Sequence, residues 1–244
     1  MSASLAALDG ALGASAPLPR DNGELVFEEP WQGRALGMGV VGACVGWAIR
    51  WAGLSLRPVV HLNRVLVTAL LGLVIGLTAT TYQLLSGRSF TQVLFSGQDA
   101  LPQLVAHATD YSLGVLLMLA VAKCFVYGLS LSAFRGGPVF PAMFIGAVIG
   151  IAAAGLPGMN MAAGIAMGIG ALATAMLRLP LTSALLATVL LGADGVATTP
   201  EVVVAVAVAF VVTNLLPDPA ARTPDSTASR RTAPRGRMVS RPAE

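Results

Sequence analysis

Apolar residues fill the middle of this chain in long blocks, and each block ends in a short cluster of Gly, Pro, Arg or Asp. Such blocks match neither the narrow stripe of an amphipathic helix nor the alternation of a half-buried strand, and read as helices apolar on all sides. From Gly136 to Leu177 no charged residue occurs across 42 positions. A helix rising about 1.5 Å per residue needs about 20 residues to cross hydrocarbon, so two spans fit in that run. The pattern predicts apolar helices over residues 35–56, 65–85, 111–134, 142–154, 159–176, 181–191 and 202–216. The first two are spaced for an antiparallel hairpin. Residues 90–109 are too mixed to span and are predicted to be interfacial or re-entrant. Pro157-Gly158 and Asp194-Gly195 read as turns, and Pro180 sits where a first-turn proline opens a helix.

Several of these helices are too short to cross a bilayer alone. Broken helices survive at membrane depth only where they are buried in protein or line a cavity, which points to a solute pathway. Small-residue pairs recur at Gly42/Gly46, Gly72/Gly76, Gly146/Gly150 and Gly164/Gly168, and are predicted to let helix backbones pack closely. Arg50 and Arg57 can snorkel from the end of the first segment, where Trp31, Trp47 and Trp51 mark interfacial levels. Lys123 is expensive unless it faces protein, water or the interface.

Composition sharpens this into a class. The 244 residues are 55% hydrophobic and 11% charged, against roughly 25% charged in an average soluble domain, which excludes a water-soluble globule. A mean hydropathy of +0.76 places the many glycines and prolines inside apolar runs. The fold class is therefore an all-α polytopic membrane protein. Of the 27 charged residues, 11 lie between Ala35 and Pro217. Three regions follow: a polar and acidic N-terminal segment 1–33, a membrane body 34–216, and a tail 217–244. The segment before the body lacks the basic start and apolar run of a cleaved signal. The tail holds six arginines and almost no large apolar residue, so it is expected to be disordered and, by the positive-inside rule, cytoplasmic. No aromatic interleaving accompanies its charge, so nucleic acid is not a predicted partner. Cys44 and Cys124 read as core filler. His61 and His107 fall in different loops with no metal-ligand spacing, and no catalytic constellation is present, so an enzyme is not expected. Asp99, Asp110, Asp194 and Glu201 read as solvated caps at span ends.

One stretch carries candidate chemistry. In Gly136-Gly137-Pro138-Val139-Phe140-Pro141, a glycine pair and two prolines force an irregular start on a helix whose first backbone N–H groups have no intrahelical partner. In apolar surroundings those groups need an acceptor, and the helix dipole favours a negative one. No Lys or Arg follows before Arg178, so an anion would be held by partial charges and released readily. From the residues alone, a simple kink between two packed helices accounts for the same breakers equally well.

Resemblance separates the two readings. Phe134-Arg-Gly-Gly-Pro-Val-Phe-Pro-Ala-Met-Phe-Ile-Gly-Ala147 resembles the helix-start motif of the ClC family of chloride channels and chloride/proton antiporters, with Pro141 and Gly146 at the family's spacing. The stretch from Gly168 to Thr182, ending Arg178-Leu-Pro-Leu-Thr182, is similar to the family's second hallmark. The likeness covers about residues 35–215 and matches the second of the family's two inverted halves. It implies broken and tilted helices, chloride as the transported ligand with no other cofactor, a plasma-membrane location and a homodimer. It also implies a turn role for Arg178 and anion contacts at Gly137, Pro138, Val139 and Phe140. Aligned on Pro141, the family phenylalanine becomes Val139, and Pro138 has no N–H to donate. The amides of Val139 and Phe140 then remain as donors, with Gly137 allowing close approach. A one-residue shift would align Phe140 instead, at the expense of the Pro141 to Gly146 spacing. The family's serine-bearing and gating-glutamate segments, and the tyrosine of its last helix, have no counterpart in these residues. A separate chain supplying the first half would complete the site. The alternatives are a non-conducting remnant or structural subunit and, from another class, an unrelated membrane enzyme.

Overall fold

The computed structural model describes residues 30–134, 136–155 and 159–217. The expected polar segment before residue 30, Arg135, the Pro157-Gly158 break and the arginine-rich tail lie outside the described residues. Met1–Pro30 and Trp31–Glu244 form separate units, and the second holds the membrane body.

Among the described residues the chain is helical throughout: α1 (Pro30–Leu62), α2 (Arg64–Ser86), α3 (Thr91–Leu94), α4 (Ala100–Ala106), a 3-10 turn at Ala108–Asp110, α5 (Leu113–Ala133), α6 (Val139–Ala154), α7 (Met161–Leu177), α8 (Pro180–Leu191), α9 (Ala193–Ala197) and α10 (Thr199–Leu215). Three helices are long and apolar enough to span, at Trp31–Pro58, Arg64–Ser86 and Leu113–Ala133. The first runs past its expected end and carries Pro58 inside it. His61, expected in a loop, therefore has helical backbone. Gly87, at φ 68°, ends α2 and donates its N–H to the Gln83 carbonyl at 2.9 Å, a left-handed cap that glycine adopts without steric cost. The segment expected to be re-entrant holds only α3, α4 and the 3-10 turn, none long enough to cross.

Helices α6 and α7 form the centre, and glycine brings them together. A Cβ on Gly146 would lie 2.4 Å from the Gly168 carbonyl oxygen, one on Gly168 2.2 Å from that of Gly146, and one on Gly150 2.2 Å from that of Gly164. Two of the predicted pairs thus face each other in antiparallel register, backbone on backbone. The pair Gly42/Gly46 lays α1 on α7 in parallel register, against Ala171 and Ala175. Gly39 meets Ala205 and Val208 of α10, and Gly53 meets Leu131 of α5. Gly72 and Gly76 meet nothing within 4 Å, so that pair serves no packing among the described residues.

Two expectations about local structure need correction. Asp194-Gly195 is not a simple turn but lies in α9, which doubles back on α8 after Gly192 at φ 59°, with Gly195 against the Thr188 carbonyl. Cys44 is exposed rather than core filler, because the glycine face of α1 turns the opposite side outward; Cys124 is half buried.

Lys123 on α5 is 2% exposed, and its cost is met entirely within the protein. Its ammonium donates to the carbonyls of Gln92 at 2.6 Å, Val93 at 3.2 Å and Phe95, and sits 4.8 Å from the centroid of the Phe144 ring. The three N–H bonds of the ammonium therefore close the C-terminal end of α3, where the carbonyls have no helical partner. Gly97 follows at φ 92°, its Cα pressed on the Phe144 ring, where a Cβ would approach to 2.7 Å. One buried cation thus pins the segment between α2 and α5 onto α5 and α6.

Two stability predictions follow from these contacts. Gly168→Val is expected to cost about 1–3 kcal/mol or more by forcing α6 and α7 apart, whereas Gly72→Ala is expected to be neutral. Thermal unfolding in detergent compares the two. Lys123→Met should destabilise by several kcal/mol, on the order of 1 to 3 for each carbonyl left unpaired, and Lys123→Arg should restore part of that loss in the same assay.

Candidate functional site

The packing register sets which helix ends meet. Extending the antiparallel register of α6 on α7 carries Pro138 to the level of Met176, and the parallel register of α1 on α7 brings the turn around Arg50 to that level. Gly53 lets α1 approach the end of α5 at Leu131. The start of α6, the end of α7, the end of α5 and the later half of α1 therefore converge.

At that convergence α6 begins three residues before its expected first residue, Ala142. Pro138 has already adopted helical angles, φ −80° and ψ −11°, and no side chain caps the helix. Pro141 is tolerated because first-turn positions have no intrahelical acceptor for an N–H. Ala142 donates to the Pro138 carbonyl at 3.2 Å. Val139 and Phe140 come before it, and among the described residues neither N–H has an acceptor. Arg135, whose carbonyl is four residues before Val139, is outside the described residues. Of the four positions singled out in the sequence, Gly137 and Phe140 are exposed and Pro138 and Val139 half buried. A Cβ on Gly136 or Gly137 would meet nothing within 4 Å, so the glycines leave room beside the turn rather than satisfying a contact.

Two adjoining cavities open there. The smaller, about 290 Å³, is bordered by Pro138 and Met176 and by Arg50, Gly53 and Arg57 of α1. The larger, about 610 Å³, is bordered by Gly136, Ser132, Phe134, Arg57 and Arg64. Arg57 and Leu131 belong to both. Neither cavity has an Asp or Glu among its described lining residues. The sequence reading, which found no cation downstream before Arg178, missed these arginines because they arrive from earlier helices. A signal was present: Gly46, Arg50, Gly53, Arg57 and Val60 recur at three- and four-residue steps, which puts the arginines on the same face of α1 as its packing glycines.

Tyr127 is a further residue beside these. It is 8% exposed, belongs to one buried cluster with Ile49, Ala142, Ile145 and Leu172, and its hydroxyl is buried with no hydrogen-bond partner among the described residues. A buried hydroxyl without a partner is costly, which makes this one a donor in need of an acceptor, in a cluster that includes Ala142 and Ile145 of α6.

The remaining candidates are structural. Arg178, at φ 57°, ends α7 in the left-handed region, its N–H donating to the Thr174 carbonyl at 2.8 Å. Glu201 is not a freely solvated cap: it is half buried in a small cavity with Arg34 and Asn160, and one carboxyl oxygen is buried. Asp99, Asp110 and Asp194 are exposed. His107 bonds the Gln103 carbonyl of its own turn at 3.1 Å. No group of three His, Cys, Asp or Glu side chains that could hold a metal occurs among the described residues.

The family model described as voltage gated chloride channel matches residues 33–214. No curated protein and no solved structure matches the chain. The matched residues take in every helix of the convergence just described, with both arginine-lined cavities and the start of α6, and on that extent the chain belongs to the ClC family of voltage-gated chloride channels and transporters.

Proposed function

We propose that this chain carries chloride, or a similar small anion, across the plasma membrane, and that the anion rests at the start of α6. Family membership supports the substrate class. The observation that carries the site is the pair of amides at Val139 and Phe140, which have no acceptor among the described residues and lie beside cavities with no acidic lining among them. A helix N-terminus carries roughly half a positive charge, enough to attract a halide without the grip of a full ion pair. Gly137 leaves room for the approach, and Pro138 shapes the turn without donating. Pro141 likewise has no N–H, which leaves two donors on the first turn. The remaining contacts come, in this reading, from a first-half partner chain facing α6, in a homodimeric assembly with the C-terminal tail on the cytoplasmic side.

Proteoliposome chloride efflux tests this reading. Efflux above protein-free vesicles is expected, with or without an added first-half chain; no efflux in either case would favour a non-conducting structural subunit. Replacing the Val139 or Phe140 amide with an ester keeps the helix start and deletes one donor. Each ester is expected to weaken chloride affinity about tenfold, in line with about 1.5 kcal/mol for a hydrogen bond to a charged partner. An unchanged chloride titration for both esters would rule out the site.

Tyr127→Phe gives a second test. Removing an unpartnered hydroxyl should leave the melting temperature unchanged or slightly raised. Any accompanying loss of chloride affinity would place that hydroxyl among the anion's donors.

A further inference from the structure

We propose that the groove between α2 and α5 seats an acyl chain of an anionic phospholipid, with the lipid's phosphate on Arg88. The proposal stands apart from the transport reading: it concerns other residues and holds whether or not the chain conducts.

The groove suits a hydrocarbon chain. It encloses about 480 Å³ between two helices long enough to span, with Val74, Leu77 and Leu85 on one wall and Met118, Val121 and Phe125 on the other. Two of its polar groups are already bonded. The Thr78 hydroxyl donates to the Val74 carbonyl at 2.8 Å, and the hydroxyl of Tyr82, a side chain 1% exposed, donates to Gln92 Oε1 at 3.1 Å. From Val74 to Leu85 the wall is about 17 Å long at about 1.5 Å per residue, close to one leaflet of a hydrocarbon core about 30 Å thick. A chain entering from the headgroup level therefore lies along the groove without crossing the midplane.

One end of the groove carries a cation. Arg88 follows the left-handed turn at Gly87, and its guanidinium donates to the Asp110 carbonyl at 2.7 Å and lies 4.3 Å from the centroid of the Tyr111 ring. These contacts tie the end of α2 to the start of α5, so the two helices run antiparallel, and Leu85 and Met118 line the Arg88 end. Among the described residues no carboxylate pairs with Arg88, and its other guanidinium N–H bonds have no acceptor. The cation is also held in place. Gln92 accepts from Tyr82 in the groove and donates to the Tyr111 hydroxyl at 2.8 Å, so groove wall and guanidinium share one hydrogen-bonded support.

Hydrocarbon gains little by leaving lipid for an apolar groove, so shape alone selects no lipid over another. The charge does. A guanidinium binds phosphate through paired N–H bonds, whereas the choline of a zwitterionic lipid brings a second cation beside it. A lipid of net negative charge satisfies Arg88 and places its chain at the mouth of the groove.

Brominated lipids, which quench tryptophan on contact, provide the test. In the full chain carrying Trp31→Phe, Trp47→Phe and Trp51→Phe, none of which lines the groove, Val121→Trp puts a reporter on the rim at a position 69% exposed. Quenching by brominated phosphatidylglycerol and by brominated phosphatidylcholine, each mixed with plain phosphatidylcholine, gives the relative affinity of the two lipids. Phosphatidylglycerol is expected to be favoured about fivefold, the effect of one arginine near anionic lipid. The preference should vanish in Arg88→Gln, persist in Arg88→Lys, and be lost in Thr78→Phe, which fills the groove and leaves the cation. Leu70→Trp, an exposed position on α2 outside the groove, should report a ratio near one. A ratio near one at Val121→Trp with Arg88 intact overturns the proposal, as does a preference that survives Arg88→Gln or is equal at Leu70→Trp. A reporter quenched by neither lipid would mean that protein covers the groove, and overturns it equally. Chloride efflux is not read, so none of these results touches the transport reading.

Discussion

The backbone contact between α6 and α7 is the constraint on which the rest depends. Helices in lipid gain little from burying apolar surface against each other, so close packing must supply the association energy. Gly146, Gly150, Gly164 and Gly168 leave no side chain at the four points of closest approach and let main chain meet main chain there. Because the register is backbone to backbone, it fixes the axial position of α6, and with it the level at which Val139 and Phe140 emerge. A helix held by ordinary side chains could slide or rotate; this one cannot without colliding with carbonyl oxygens.

A second constraint holds α6 from the other side. Lys123 closes the carbonyls of α3 while its charge rests near Phe144, and Gly97 presses on the same ring. Phe144 lies one turn beyond the start of α6, so the segment between α2 and α5 buttresses α6 close to the turn that carries the candidate amides. Breaking a buried cation's contacts costs far more than its net contribution when intact, which makes Lys123 a strict requirement rather than a source of stability. The two constraints act on opposite faces of one helix.

Much of this was legible in the residues. The long apolar blocks gave the helices to within a few positions, and the small-residue pairs anticipated the packing at Gly146/Gly150 and Gly164/Gly168 because glycine at four-residue spacing has few other uses in a membrane helix. Helix ends are less legible near a proline. At Pro58 and Pro141 the helix continues through or begins before it, since tertiary packing or a missing first-turn acceptor removes the penalty. The position of the arginines was less accessible. Snorkelling explains Arg50 and Arg57 on an isolated helix, and only the convergence of α1 with α5 and α6 brings them to the same cavities. Tyr127 is the same kind of case, since an unpartnered hydroxyl is a property of its surroundings and not of its sequence position.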